Sequence, residues 1–386
     1  MDTSDPDIEF DGQGVCNHCR TFDKAIRPNW YPGTPRADQE LAAIVERIKT
    51  TQKDQEYDAI IGISGGVDSS YLAYWASRVA GLRLLAVHVD AGWNSELAVQ
   101  NIEKLVRNLN IELYTHVVDW EAMCDVQRAF FQAGVANQDT PQDHAFFSVL
   151  YKFAVENKIR YVMNGTNLAT ESILPKGWGH DPMDADQITD ICKKYGAKAF
   201  PRFPLVSFYR YFIDIPYVKK IQVIRPLNYL NYSKTEAIRL LESDLGWKYY
   251  GGKHYESRFT KFFQGYWLPT KFGYDKRKAH LSSLIVAGEM TRSEALEQLQ
   301  QPPFDPAAVD GDLEFVAKKL GLTAEAFRQL MAEPNRHFTD FKNNARKKYF
   351  YYYSKELFFR LGGALRHPKD ALRRMWGALS VYSDPR

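Results

Sequence analysis

One stretch constrains the fold more than any other: Tyr57 to Ser70, Y-D-A-I-I-G-I-S-G-G-V-D-S-S. Tyr57 to Ile63 is short and apolar with three isoleucines, the pattern of a buried parallel strand. Ser64, Gly65 and Gly66 turn the chain, and Val67 to Ala80 reads as a helix with Gly81 as its stop. A strand, a glycine turn and a helix N-terminus together make an anion site, because backbone N–H groups converge where glycine lets phosphate approach. Asp68 conflicts with an anion unless a cation bridges them, and Mg²⁺ between Asp68 and a pyrophosphate resolves the conflict. The stretch is not the G-x-x-x-x-G-K-[ST] loop. An ordinary Ser/Gly turn is the plainer alternative.

The remaining strands repeat the pattern. Arg83 to Asp90 and Glu112 to Asp119 read as strands, separated by a helix from Ser95 to Asn108 and followed by one from Trp120 to Ala133. Arg160 to Met163 and Ile221 to Leu227 read as a fourth and a last strand. Alternation at this spacing predicts an α/β fold with a doubly wound parallel sheet, whose ligands bind at the carboxyl ends of strands. Asp90, Gly92, Trp93 and Asn94 fall at one such end, and Gly165, Thr166 and Asn167 at another. Pro141 opens a further helix, placing Gln142, Asp143 and His144 toward the same edge. Lys176 to Ala199 reads as an irregular, substrate-covering segment. Ser233 with Glu236, and Thr291 with Glu294, read as capping boxes.

Composition narrows the class. The 386 residues allow a 37–250 α/β unit carrying the loop, between a 1–36 N-terminal segment and a helical 251–386 region that contacts substrate or partner. A net charge of +3 demands neither nucleic acid nor a membrane surface. Neither a leader nor a spanning run is visible, so the expectation is a cytoplasmic enzyme. Cys16 and Cys19 form a C-x-x-C, half of a structural zinc site, with a pair of free thiols as the alternative. Tyr249 to Trp267 interleaves Lys253, His254, Tyr255, Glu256, Arg258 and Lys261 with aromatics, suited to a carboxylate or diphosphate or, less specifically, to a packed aromatic helix. Lys342 to Arg374 is basic and aromatic, a segment that could dock an acidic partner, lie near a membrane surface, or pack as an aromatic helix with a solvated face.

S-G-G-V-D-S-S resembles the pyrophosphatase loop of ATP-dependent adenylating enzymes, the PP-loop superfamily with its adenine nucleotide alpha hydrolase-like fold. The resemblance implies that ATP and Mg²⁺ are used, with Ser64, Gly65, Gly66, Val67, Asp68, Ser69 and Ser70 around the pyrophosphate. Longer blocks resemble the N-acetyl sugar amidotransferase family of bacterial surface-polysaccharide biosynthesis. They are M-D-T-S-D-P-D-I-E-F-D-G-Q-G-V-C-N-H-C, V-D-A-G-W-N-S, P-Q-D-H-A-F-F, N-G-T-N-L-A-T-E-S and G-G-K-H-Y-E-S-R-F-T-K-F-F-Q-G-Y-W, in family order.

This resemblance implies conversion of an acetamido group on a UDP-linked diacetamido hexuronic acid to an acetamidino group. Ammonia would come from a separate glutaminase through a cyclase-like channel protein, and a homo-oligomer is compatible. Family members carry another C-x-x-C ahead of the M-D-T-S-D-P block, where this sequence begins, so either its start was set late or the zinc site at Cys16 and Cys19 has lost half its ligands. Asp143, His144, His254 and Glu256 are the candidate bases, and Gln142, Asp143, Lys253, Tyr255, Arg258 and Lys261 the candidate sugar contacts. Two other readings remain: a thiolating enzyme acting on tRNA or a small molecule, and a non-catalytic ATP-binding scaffold for a glutaminase.

Overall fold

A computed structural model of the chain describes residues 1–252 and 255–363, with side chains through Glu356. Lys253 and His254, and the part of the basic segment beyond residue 363, lie outside the described residues.

Five strands form one parallel sheet: β1 (Ala59–Gly62), β2 (Leu84–Asp90), β3 (Glu112–Val117), β4 (Tyr161–Met163) and β5 (Gln222–Ile224). Their order is β3-β2-β1-β4-β5, and every pairing is parallel. Alternation along each strand divides the core. Ile60, Leu85, Val87 and Val162 face one hydrophobic layer, with the helices Trp120–Ala133 and Thr140–Glu156. Ala59, Ile61, Leu84, Ala86 and Met163 face the other, with the helices Pro35–Thr51, Glu96–Leu109 and Lys234–Leu245. Both faces are therefore covered, as an all-parallel sheet requires.

The chain runs outward from β1 through β2 to β3, then returns to place β4 on β1's other side. That reversal opens a crevice between β1 and β4 at the strands' carboxyl ends. The glycine loop leaves β1 there, and the Asn164–Asn167 turn leaves β4 beside it. A Cβ on Gly165 would sit 3.2 Å from the backbone of Asp68 and Ser69, so the two turns are in backbone contact.

Beyond residue 256 the chain adds a helical region whose aromatics extend the first layer. Phe259, Phe262, Phe263 and Trp267 are wholly buried, with Phe131 edge-on to Trp267 at 4.7 Å. They are core, not platforms for a base or sugar.

Two sequence expectations are corrected. Ser233 forms no side-chain cap to the helix Lys234–Leu245. The stretch from Lys176 holds a helix, Ala185–Lys194, capped by Asp184, which packs on Trp120–Ala133. The sequence showed its glycines but not the amphipathic turn between them. The loop helix is as expected: Val67–Tyr74 continues to Val79 with a wider turn and stops before Gly81. Thr291 and Glu294 do form a capping box.

Candidate active site

The loop is built by its glycines. Gly65 takes φ +80° against the backbone of Ala98, and Gly66 caps the helix Val67–Tyr74. Ser64 Oγ accepts from Gly66 N at 3.2 Å, and Ser69 Oγ donates to Gly66 O at 3.2 Å. Ser64 and Ser69 hydroxyls lie 3.4 Å apart. Ser70 is wholly buried, so its side chain belongs to the support of the loop rather than its open face.

Residues far along the chain close on this loop. Trp247 Nε1 donates to Gly65 O at 3.2 Å, and Val67 N donates to the Tyr250 hydroxyl at 3.0 Å. Ser64 Oγ donates to Glu256 Oε1 at 3.5 Å, and a Cβ on Gly66 would meet that same oxygen at 2.9 Å. Tyr232 Oη donates to Asp68 Oδ1. Burial and the Asp68 carboxylate hold the Tyr232 hydroxyl far above the usual phenol range, so it stays a donor. Tyr232, Trp247 and Tyr250 carry no local motif, and only their contacts more than 160 residues away in sequence reveal them.

The β2 end forms a polar knot. Asp90 Oδ1 accepts from Gly92 N at 2.7 Å and from Asn94 Nδ2 at 3.0 Å. Asn94 bridges to Ser257, next to Glu256, so this strand end and the loop meet at one segment. At the β4 end, Arg225 Nε donates to Thr166 Oγ1 at 3.1 Å. Asn167 Oδ1 accepts from Thr170 N at 3.0 Å, capping the short helix Leu168–Glu171.

The remaining sequence candidates separate. His144 is wholly buried; Nδ1 donates to Pro182 O at 2.8 Å and Nε2 accepts from Val206 N at 3.0 Å. Burial pushes its pKa down to about 4, so it is a neutral core histidine and not a base. Gln142 is also internal, donating to Asp139 Oδ1 at 2.6 Å and Thr260 Oγ1 at 2.8 Å. Arg258 is paired with Asp312 at 2.7 Å and stacked on Phe315 at 3.7 Å, so its charge is used within the fold. Lys261 lies over the Tyr255 ring at 5.2 Å.

Asp143 differs. Its carboxyl makes no hydrogen bond among the described residues, and burial with the neighbouring Asp139 pushes it up to about 8. Its protonation therefore changes near neutral pH, as a candidate base requires.

The donor sets decide what metals fit. Asp68 offers one carboxylate beside serine hydroxyls at a helix N-terminus, a set that suits Mg²⁺ completed by phosphate oxygens. Zinc is not supported. Cys16 and Cys19 Sγ lie 3.5 Å apart, His18 is held by Asp5 at 2.6 Å, and no cluster of three or more metal-binding side chains occurs among the described residues.

A parallel sheet with a glycine-turned anion loop at its reversal point, bracketed by a second turn, defines an ATP pyrophosphatase-type α/β protein. The chain belongs to that PP-loop superfamily: residues 40–202 match the NAD synthase family, and residues 256–355 match the family described as LPS biosynthesis protein WbpG-like, C-terminal domain.

Among curated relatives, the glutamine-hydrolyzing GMP synthase of Aeropyrum pernix is 27% identical over 155 residues, covering 38% of this chain and 28% of that protein. The glutamine-hydrolyzing GMP synthase of Bartonella bacilliformis is 34% identical over 104 residues, covering 27% of this chain and 19% of that one. The chain thus spans less than half the length of these relatives. A solved structure, an NH3-dependent NAD synthetase from Campylobacter jejuni, covers 54% of this chain and 93% of that one at 15% identity and a TM-score of 0.28. No helix among the described residues is long and apolar enough to cross a membrane.

Proposed function

We propose that the chain is an ATP-dependent, AMP-forming amidotransferase. It converts an acetamido group of a nucleotide-linked sugar, a UDP-diacetamido hexuronic acid, to an acetamidino group in bacterial surface-polysaccharide biosynthesis. One observation carries the reading. Glu256, the first residue of the WbpG-like match, lies against Ser64 and Gly66 of the pyrophosphatase loop. The region that resembles a polysaccharide-biosynthesis protein therefore forms part of the ATP-loop crevice.

An amide oxygen leaves poorly. Attack of that oxygen on the α-phosphorus of ATP expels pyrophosphate and gives an O-adenylyl imidate, from which AMP departs once ammonia has added to carbon. The loop amides and the Ser64 and Ser69 hydroxyls receive the departing pyrophosphate. Asp68 and those hydroxyls would hold Mg²⁺, whose charge offsets that of the leaving group. Tyr232 orients the Asp68 carboxylate. Asp143 takes a proton from the attacking nitrogen. The nitrogen comes from a separate glutaminase, delivered through a cyclase-like channel protein.

Thiolation is disfavoured by the thiols themselves. Burial pushes Cys192 up to about 12 and Cys19 up to about 11, and raises Cys124, so none of the three is a ready thiolate at neutral pH. Asp68→Asn tests the proposal: sugar-dependent AMP formation disappears while the fold persists. Near-normal turnover in that variant would overturn the metal assignment, and ATP binding without AMP formation in the wild type would favour a scaffold.

A further inference from the structure

Away from the loop, the stretch after the helix Trp120–Ala133 and the stretch leading into Ala185–Lys194 line a half-open cavity of about 220 Å³. Asn137, Thr140, His180, Gln187, Tyr274 and Arg336 carry its polar and aromatic chemistry, and none of its lining residues is acidic.

Its polar groups are held in place from behind. Asp184 is wholly buried, and its four acceptances fix two of the walls. Oδ1 takes Asp186 N and Gln187 N, each at 3.0 Å, which sets the first turn of the helix Ala185–Lys194. Oδ2 takes Asn344 N at 2.8 Å and His180 Nε2 at 2.6 Å. In the neutral ring, with Nε2 donating to the carboxylate, His180 Nδ1 is an acceptor, and it has no partner among the described residues. Phe338 stacks on the imidazole at 4.2 Å with the planes 12° apart, fixing the ring's orientation. On another wall, Trp178 backs Tyr274 at 5.4 Å and 15°.

Gln187 supplies the second observation. It is 2% exposed and lines the cavity, yet its side-chain amide has no hydrogen-bond partner among the described residues. Neither amide atom is sealed from solvent, so the amide faces the pocket and is open to whatever fills it. Arg336 commits one guanidinium nitrogen to the Tyr195 hydroxyl and keeps other donors available.

The volume suits one six-membered ring with substituents and is smaller than the ordinary range for a drug-sized ligand. An amide, an imidazole acceptor and a hydroxyl recognise ring hydroxyls and N-acyl groups. The guanidinium admits a carboxylate, and the absence of lining acids removes repulsion toward it. The wall is tied to the loop region: Asp139, next to Thr140, accepts from Thr260 Oγ1 at 3.0 Å, and Thr260 lies four residues beyond Glu256.

We infer that this cavity binds a single acidic or N-acylated sugar ring, with Gln187 and His180 Nδ1 as its recognising groups. The choice of a sugar over another hydroxylated ring rests on the function proposed above; the built cavity does not.

Saturation-transfer NMR titration of the full chain with 2-acetamido-2-deoxy-D-glucuronic acid tests it, with uridine and adenosine as competing probes and ATP binding measured on the same samples. The wild type binds the sugar acid. Gln187→Leu weakens that binding about tenfold, and His180→Phe, which keeps the stacked ring but loses the acceptor, does the same. ATP binding stays unchanged in both; the melting temperature holds in Gln187→Leu and falls in His180→Phe, because buried Asp184 loses its hydrogen bond from Nε2. No sugar binding by the wild type, equal binding by both folded variants, or displacement of the sugar by uridine or adenosine would each overturn the site. Intact ATP binding without sugar binding overturns only this site. Variant-sensitive sugar binding without sugar-dependent AMP formation supports the site and sinks the proposed reaction instead.

Discussion

Replacing Gly65 by alanine tests how the loop is built. The residue sits at φ +80°, and a Cβ there would stand 2.7 Å from Ala98 O and 3.1 Å from Ala98 Cα. Both are backbone atoms of the helix Glu96–Leu109, which cannot rotate aside as a side chain could. Two costs add: about 1–2 kcal/mol for an L-residue in the left-handed region, and about 1–3 kcal/mol for overpacking. The sum is about 2–5 kcal/mol. Gly246 separates the terms. It takes φ +63° at the end of the helix Lys234–Leu245, and nothing lies within 4 Å of its added Cβ. Gly246→Ala therefore incurs only the first cost. Urea unfolding of both variants, with ATP binding measured on the folded material, should show Gly65→Ala the less stable and the only one to lose ATP. Equal stability of the two variants would refute the close approach of loop and helix.

Three further outcomes follow from the site. Tyr250→Phe frees Val67 N from the hydroxyl it now meets at 3.0 Å, so ATP should bind several-fold more tightly by calorimetry; weaker binding would make the hydroxyl a ligand contact. His144→Leu leaves Pro182 O and Val206 N without partners and should cost about 2–4 kcal/mol, with little change in turnover per folded molecule. The histidine's folded pKa is depressed to about 4, so its contribution is present above its ordinary value near 6.5 and is lost as pH falls toward 4; wild type should lose stability in that window more steeply than the variant. Asp143 is the opposite case. Its folded pKa is raised to about 8, so its stabilisation is full below the ordinary carboxylate range and is lost as pH rises toward 8. Turnover should rise over the upper part of that window as the base ionises, and Asp143→Asn should abolish the rise.

The loop was legible because its signals are local. Three isoleucines, two glycines and the following helix lie in one short stretch, and strand spacing alone yields the doubly wound sheet. Strand ends were legible for the same reason, so Asp90, Asn94 and Gly165 fall where the topology puts them. What lies over the loop was not legible. Tyr232, Tyr250 and Trp247 reach it from a distant segment, and nothing in their neighbourhood distinguishes them from other aromatics. Polar residues ahead of an apolar helix misled in one direction: His144 and Gln142 face inward to backbone and to Asp139, which periodicity cannot separate from a crevice. The charged aromatic stretch misled in another. Arg258 finds Asp312 only because a later helix folds back against it.

The central claim is amidotransfer driven by ATP. The most direct measurement incubates the chain with ATP, Mg²⁺, ammonium and a UDP-diacetamido hexuronic acid, and reads AMP, pyrophosphate and sugar mass from the same reaction. The account predicts AMP and pyrophosphate in equal amounts, with one sugar oxygen replaced by NH. ADP in place of AMP, or AMP released with the sugar unchanged, would contradict it.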